Sequence, residues 1–313
     1  LPITPITDLA ISHDNIVVAT QGRSFWILDD LTILRQYDGT SRQGKFYAPA
    51  PTYIPNWYSG LNSNKCKGTD LLKGVNPASG MVLYYDLPSL SKETELTLTI
   101  KDAQGNIVNT FSSSVDKSYI TYEGNPPKKP TLSKNVGLNR FVWNMHYPLL
   151  PGVPEVYIEG SYSGHQAIPG NYQLTLTYDD NHFETPAIIQ ANPLYDLSEA
   201  QYRAYHEFMS FAAATYREMT DMTNRLNEIN TELKSLLAKM NPTNHNELIA
   251  LGNSLSADLT LWDGIMVQRL SKAYDDVENF ENGFTAHYLN LISESNSPIP
   301  KITQGSESRK VEL

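Results

Sequence analysis

The sequence is poor in cysteine, in positive charge and in long apolar runs. Cys66 is the one cysteine among 313 residues, which excludes an intramolecular disulfide and any zinc site that needs two thiolates. The 34 acidic and 24 basic residues leave a formal charge of −10, the wrong sign for a protein that binds a phosphate backbone. No apolar run approaches the roughly 20 residues that cross a bilayer. We therefore expect neither a nucleic-acid partner nor a membrane span.

Motifs of nucleotide-binding proteins and hydrolases are incomplete in this chain. Residues 39–45 have the spacing of a phosphate-binding loop, but Phe46 stands where a hydroxyl is needed to hold magnesium. Residues 160–164 resemble a nucleophile elbow, yet the central residue is Tyr162 instead of serine. Neither segment predicts the chemistry of the motif that it resembles.

Carboxylates and histidines are also not arranged as in a catalytic or metal site. Asp29–Asp30 and Asp179–Asp180 follow predicted strands, where neighbouring side chains point to opposite faces, so each pair predicts a turn. The seven histidines show no spacing that places two imidazoles on one face. His146, beside Trp143, is a candidate contact residue, with a packed histidine as the simpler interpretation. The sequence predicts no catalytic residue, no metal site and no cofactor.

The first 35 residues predict a short β-meander. Three apolar runs, at 9–11, 16–19 and 25–28, are separated by turn-forming residues. Three strands cannot bury both faces of a sheet by themselves, so this unit needs neighbouring sheets or a covering layer.

Residues 36–80 show no sustained period and predict a linker that packs on the following domain. Within it, Tyr47, Tyr53, Trp57 and Tyr58 form an aromatic cluster. We consider Tyr53, Trp57 and Tyr58 candidate contacts for carbohydrate or a protein partner. The alternative is that these rings clamp the linker onto the next domain, because aromatic side chains bury large areas.

From 81 to 193 the apolar period is two. Leu96, Leu98 and Ile100 alternate with polar residues, as do the apolar residues of 172–178. Six or seven short strands with turn signals in this length predict an immunoglobulin-like β-sandwich. Residues 148–170 form an excursion between two of its strands.

From 194 to 313 the period is helical. Ser198 with Gln201 is a capping box, and a heptad pattern follows from Tyr205 to Met240, with Thr223 and Asn230 as polar interruptions. This pattern predicts a long first helix with a seam like that of a coiled coil.

The pattern stops at Asn241–Pro242, and Asn244 offers a cap for a second helix reaching Val277. A short turn between long helices makes them run antiparallel, which predicts a long antiparallel helical hairpin. A third helix is predicted at 284–292, and 306–313 resembles the first turns of a helix that is cut short. The fold class predicted for the whole chain is α+β and multidomain.

Several segments resemble one protein family. Residues 8–30, with ATQGRSFWILDD at 19–30, resemble the last blade of sortilin-type β-propellers, bacterial proteins often labelled as glycosyl hydrolases with neuraminidase-type (BNR) repeats. Residues 96–111, 137–144 and 169–172 resemble the immunoglobulin-like domain that follows this propeller, and the helices after 198 resemble the C-terminal region of the family.

This resemblance implies the C-terminal part of an exported bacterial protein, periplasmic, secreted or on the outer surface, whose missing N-terminal propeller would be its partner. The Asp-box of the repeats does not occur here, and no residue matches a catalytic position of the family. We expect a non-catalytic accessory or interaction module that contacts protein or glycan. The alternative is a part of a propeller glycoside hydrolase, or of a peptidase-like hydrolase, that contributes to substrate binding. Exposed strand edges and the apolar helical seam also predict self-association.

Overall fold

The structure is a computed structural model that describes residues 3–39, 44–54, 78–297 and 299–313. It belongs to the α+β class, as predicted. The chain divides into two compact units. Unit 1 comprises the described residues of Leu1–Val115, Pro130–His146 and Ala167–Tyr195, and unit 2 those of Asp116–Lys129, Tyr147–Gln166 and Asp196–Leu313. The units interleave along the chain, whereas the predicted domains 1–35, 36–80, 81–193 and 194–313 follow one another.

Unit 1 begins with a three-stranded antiparallel sheet in the order β1-β2-β3, formed by β1 (Ile6–Ser12), β2 (Asn15–Thr20) and β3 (Phe25–Leu28). These are the three strands that the apolar runs predict. A short helix, α1 (Thr32–Gln36), follows β3. Asp30, at the end of the strand, has a φ of 60°, so this aspartate pair lies in a turn, as expected.

Two further sheets complete unit 1. One has the order β5-β11-β10-β7-β8 and the other β4-β6-β9. The strands are β4 (Lys45–Phe46), β5 (Thr52–Tyr53), β6 (Met81–Leu87), β7 (Thr97–Asp102), β8 (Ile107–Ser112), β9 (Gly137–Trp143), β10 (Gly170–Tyr178) and β11 (Asn181–Gln190). The predicted strands after residue 80 are present, and the segment predicted as a linker contributes β4 and β5.

The apolar core of unit 1 lies between these two sheets. Side chains of β6 and β10 alternate between buried and half-buried positions, which is the period-two pattern of the sequence. The rings of Phe111 on β8 and Phe141 on β9 have centroids 4.8 Å apart. Trp143 on β9 lies edge-on to Tyr172 on β10 at 5.8 Å. Each fully buried large apolar side chain stabilises the fold by about 1.5–3 kcal/mol relative to an exposed one.

In unit 2, helix α2 (Glu199–Leu237) begins at the predicted capping box. The Ser198 hydroxyl accepts from Gln201 N at 3.3 Å, and Gln201 Oε1 accepts from Ser198 N at 2.9 Å. The buried residues of α2 include six positions of the predicted seam, Tyr205, Met209, Ala212, Tyr216, Thr223 and Asn230. The capping prediction is confirmed.

Helix α3 (Pro242–Met266) differs from the prediction at both ends. Asn241, rather than Asn244, caps it, by accepting from Thr243 N at 2.9 Å, and the helix kinks at His245, where φ is −134°. The helix ends at Met266 instead of Val277, because the Thr285 hydroxyl donates to the Met266 carbonyl at 2.8 Å and Val267 is extended. A tertiary contact therefore ends this helix.

The rest of unit 2 contains a 3₁₀ turn at Tyr274–Glu278 and the helices α4 (Phe284–Ser295) and α5 (Gln304–Glu312). In the part of the chain that the structure describes, no helix has both the length and the apolar character of a bilayer-spanning segment.

Helices α2 and α3 contact each other through a polar cluster. Asn230 Nδ2 donates to Thr260 Oγ1 at 3.0 Å, and Ser256 Oγ donates to Asn230 Oδ1 at 2.7 Å. Nearer the turn, Gly252 lies against Leu237. Residues later in α2 therefore contact residues earlier in α3, as in an antiparallel pair.

Candidate functional site

The predicted contact residues are placed in different environments. Tyr53 lies on β5 and is 55% exposed, whereas His146 is 3% exposed. Trp57 and Tyr58 lie outside the described residues, as do Cys66 and positions 40–43 of the loop with phosphate-binding spacing. Of the two described residues, only Tyr53 presents its ring to a surface ligand, and the role of this set stays a prediction.

His146 is a packed histidine of unit 1. Its Nδ1 donates to the Asn144 carbonyl at 2.7 Å, since a carbonyl oxygen only accepts. Its own carbonyl accepts from Trp143 Nε1 at 3.2 Å and from Asn109 Nδ2 at 2.9 Å. Burial lowers the pKa of His146, and the hydrogen bond to Asn144 partly offsets this effect. These contacts fix the bend that follows β9 at Met145, where φ is 57°.

The loops of unit 2 line a cavity of about 330 Å³ that is open to solvent. Residues 116–129 form one wall and residues 148–154 form the other. The lining combines aromatic rings, proline rings and charged groups, including Asp116, Tyr119, Tyr122, Pro126, Lys129 and Leu149. Its size is at the lower end of the range of small-molecule sites.

Hydrogen bonds fix the wall that carries Tyr119. The Tyr119 hydroxyl donates to the Pro126 carbonyl at 2.9 Å, and the Asn125 side-chain amide donates to both of these oxygens. Lys128 places its ammonium 5.0 Å from the centre of the Tyr119 ring, within cation–π distance. This tyrosine is therefore held in one orientation at the rim of the cavity.

The second tyrosine, Tyr122, is fixed by close packing. A Cβ atom on Gly152 would collide with the Tyr122 hydroxyl and would lie 2.8 Å from Pro126 Cδ. Only glycine permits this approach of the two walls without movement. A larger residue at 152 would push the Tyr122 ring away from its present place.

The polar groups of the cavity differ in charge. Burial, with a smaller effect of Tyr119, raises the pKa of Tyr122 to about 12, so this phenol is neutral at physiological pH. Burial also lowers the pKa of Lys129. Hydrogen bonds from the side chain and backbone of Ser118 lower the pKa of Asp116. The cavity thus offers a neutral phenol, a cation and a carboxylate beside aromatic faces, which suits a polyhydroxylated ligand that stacks on a ring.

A second candidate surface is the β1–β2–β3 sheet, which has apolar rows on both faces. Cross-strand partners share a face of a sheet, so the observed register assigns each row to one side. One face carries the rows Leu9–Val18–Trp26 and Ile11–Ile16–Leu28. The other face carries the apolar row Ala10–Val17–Ile27 at its centre. On either side of this row lie Asp8–Ala19–Phe25 and the polar pair Ser12–Asn15. Among the described residues Leu9, Ile11, Phe25 and Ile27 are each more than half exposed.

A sheet with apolar rows on both faces belongs between two layers. Strands with one solvated face alternate apolar and polar residues, as β10 does, whereas strands covered on both sides read as continuous apolar runs. β1 and β3 are also the edges of this sheet within the described strands. This sheet is therefore a candidate surface for packing against further strands.

The sequence did not predict the tyrosine cavity, and it predicted the sheet only in part. The meander predicted the need for a covering layer, but Tyr119 and Tyr122 carry no motif and come together with 148–154 only through the fold. Across the described ranges, no group of three or more His, Cys, Asp or Glu side chains is placed to hold a metal ion.

Comparisons with known proteins show no family for this chain. No family model and no curated protein matches it. A solved structure of Bifidobacterium dentium beta-glucuronidase complexed with coumarin-3-O-glucuronide aligns with 10% identity and a TM-score of 0.19. The alignment covers 48% of this chain and 18% of that one. A similarity at this level carries no argument about fold, substrate or activity.

Proposed function

We propose that this chain is a non-catalytic accessory module of an exported bacterial β-propeller protein of the sortilin type. One observation carries the proposal, namely the β1–β2–β3 sheet, which has apolar rows on both faces and whose edge strands have no further partner among the described strands. A propeller blade is packed between two neighbouring blades and therefore needs apolar residues on both faces. The motif at 19–30 lies within this sheet and supports the same assignment.

The finer architecture is part of this proposal. The two larger sheets of unit 1, with ring contacts such as Phe111–Phe141 between them, would form an immunoglobulin-like sandwich. Helices α2 and α3, whose contacts advance in opposite directions, would form the antiparallel helical hairpin. Both assignments agree with the regions that follow the propeller in the family that the sequence resembles.

We place the ligand contact of the module at the cavity of unit 2 and assign it to a glycan. Tyr119 and Tyr122 are fixed rings beside charged and hydroxyl groups, and the volume of about 330 Å³ lies within the range of small-molecule sites. This assignment moves the contact away from Tyr53, which lies on a small edge strand of unit 1.

A glycan array and a panel of chromogenic glycosides, applied to the 313-residue protein, test the proposal. We expect binding without turnover, with Tyr119→Ala and Tyr122→Ala reducing binding at least about tenfold. Tyr37→Ala serves as a control, because this exposed ring lies outside the cavity, and Tyr53→Ala tests the alternative contact. Turnover by this chain alone would contradict the accessory role. Undiminished binding in both cavity variants would remove the cavity assignment.

The proposal requires a longer polypeptide that includes the propeller. Applying the same panel to it distinguishes the accessory role from the alternative role in a hydrolase. If the longer polypeptide hydrolyses a substrate and Tyr119→Ala or Tyr122→Ala abolishes this hydrolysis, the result would favour a chain that forms part of the substrate site. Hydrolysis that is unchanged in these variants would leave the module outside the active site.

A further inference from the structure

Two histidines of unit 2 face each other across a loop and a helix. His165 lies in the segment 147–166, and His206 lies on α2, one turn before Ser210. His165 Nε2 is 3.2 Å from His206 Nδ1. The Ser210 hydroxyl is 3.5 Å from the first nitrogen and 3.4 Å from the second. Three potential ligand atoms therefore form a nearly equilateral triangle.

The size of this triangle fits one face of a tetrahedral metal site. Zn²⁺ binds imidazole nitrogen at about 2.0–2.1 Å, so two ligands of a tetrahedral ion are about 3.3–3.4 Å apart. The three observed separations lie within about 0.2 Å of this range. An ion bound by all three atoms would replace the hydrogen bonds that now join them.

The surroundings hold the His165 ring in this orientation. Tyr147 stacks on it with centroids 4.1 Å apart and planes within 9°, and Tyr205 meets it edge-on at 6.2 Å. Tyr205 is itself fixed, since its hydroxyl accepts from Gln166 N at 3.1 Å and donates to Asn296 Oδ1 at 2.7 Å. Such preorganisation reduces the cost of assembling a site on binding.

The backbone that carries His165 is fixed as well. Tyr147 N donates to the His165 carbonyl at 2.9 Å. A Cβ atom on Gly164 would collide with the Tyr147 carbonyl, so glycine is required for this close approach. His206 and Ser210 are spaced i,i+4 on α2, which places them on one face of the helix.

We propose that His165, His206 and Ser210 bind a divalent ion of the late first-row transition series, such as Zn²⁺, Ni²⁺ or Cu²⁺. Imidazole nitrogens suit these ions. No third His, Cys, Asp or Glu joins them within the described residues, so we expect weaker binding than at a structural zinc site. This site is separate from the cavity and from the apolar sheet, and the proposal does not depend on the function assigned to them.

Isothermal titration of Zn²⁺ into the untagged 313-residue protein tests the proposal, together with the visible spectrum of the Co²⁺ form. We expect one equivalent to bind and Co²⁺ to give the intense absorption of a tetrahedral complex. His165→Gln and His206→Gln should each weaken binding at least about tenfold. His245→Gln is the matched control, because this exposed histidine of unit 2 lies at the kink of α3.

A gain-of-affinity variant keeps the test decisive if a histidine variant fails to fold. Ser210→Cys replaces the weakest ligand with a thiolate, so it should bind Zn²⁺ at least about tenfold more tightly and add a sulfur-to-cobalt charge-transfer band. Ser308→Cys, on the exposed part of α5, controls for an added thiol. Absence of Zn²⁺ binding at millimolar concentration, or equal affinity in the His206→Gln and His245→Gln variants, would overturn the proposal. An unchanged affinity in Ser210→Cys would also do so.

Discussion

Gly152 and Tyr122 show, at the scale of single residues, how closely the two walls of the cavity approach each other. We predict that Gly152→Ala lowers the free energy of unfolding by about 1–3 kcal/mol, because the new methyl group collides with the Tyr122 hydroxyl and with Pro126. Thermal and urea unfolding measure this loss. The same variant should also weaken glycan binding, since Tyr122 must move.

Gly264→Ala is the matched control for this substitution. No atom lies within 4 Å of a Cβ built on this glycine of α3, and alanine in a helix is favoured over glycine by about 0.8–1.0 kcal/mol. We expect Gly264→Ala to stabilise the protein or leave it unchanged. A loss equal to that of Gly152→Ala would show that the collision is not the cause.

Buried phenols predict that the protein loses stability in alkali. Burial raises the pKa of Tyr85 to about 12, and its hydroxyl donates to the Ser133 carbonyl at 2.7 Å. A pKa that is raised in the folded state contributes stability that is complete below pH 10 and is lost as pH rises through about 12. We therefore expect the free energy of unfolding to fall between these pH values.

Denaturant unfolding at a series of pH values checks this prediction. Tyr85→Phe lowers stability at neutral pH, because the Ser133 carbonyl loses its donor, but it should reduce the slope of stability against pH above 10. Tyr37→Phe, at an exposed ring, is the control. A slope that is identical in all three proteins would refute the assignment to Tyr85.

Candidate site residues were the part of the molecule least accessible to sequence reasoning. His146 lies close to Trp143 in the sequence, and this local information was sufficient to interpret it as a packed histidine. His165 and His206 are 41 positions apart, so no spacing rule detects them. Ser210, at i+4 from His206, becomes informative only when His165 is placed beside both.

At the scale of elements, local signals predicted the start of α2 but neither end of α3. Ser198 and Gln201 satisfy each other within one turn, and that start was predicted from neighbouring residues alone. The end of α3 depends instead on Thr285, which lies 19 positions beyond Met266 and binds its carbonyl. The apolar periodicity continues to Val277 and does not indicate a contact of this kind, so the sequence predicted a longer helix.

The polar cluster between α2 and α3 gives an element-scale prediction. Asn230→Ala leaves Ser256 without the acceptor that it has at 2.7 Å, so it should cost about 1–3 kcal/mol of unfolding free energy. Ser256→Ala removes the other partner. Because the two side chains share a hydrogen bond, we expect a coupling energy of about 0.5–3 kcal/mol in a double-mutant cycle measured by urea unfolding.

Thr231→Ala is the control for this cycle, since its hydroxyl bonds within α2 to the Asn227 carbonyl. Its effect should add to that of Ser256→Ala without coupling. Additivity between Asn230→Ala and Ser256→Ala would instead mean that the cluster does not connect the helices energetically.

At the scale of the whole molecule, the sequence predicted the succession of strand-rich and helical regions but not the division into interleaved units. Residues 116–129 and 147–166 are irregular and lie between strands, so the sequence assigned them to the sandwich region. The contacts assign them to the helical unit, where the Arg217 guanidinium donates to the Pro148 and Leu149 carbonyls at 2.8 Å each. Periodicity identifies regular elements but does not identify the partners of loops.

The apolar β1–β2–β3 sheet predicts that the 313-residue protein associates with itself. Exposed side chains such as Phe25 and Ile27, at 72% and 62%, present an apolar face together with open strand edges. Multi-angle light scattering should show an apparent mass that rises with concentration. Phe25→Ser with Ile27→Thr should reduce this rise without lowering stability, whereas a constant monomer mass in the unmodified protein would contradict the prediction.

Hydrogen exchange in the β1–β2–β3 sheet tests the proposed propeller module most directly. Exchange would be compared between the 313-residue protein and a longer polypeptide that includes the sequence preceding it in the gene. Because neighbouring blades would cover both faces of the sheet, the proposal predicts that its amides exchange at least about tenfold more slowly in the longer polypeptide. Equal exchange in the two proteins, with the sheet uncovered in both, would contradict it.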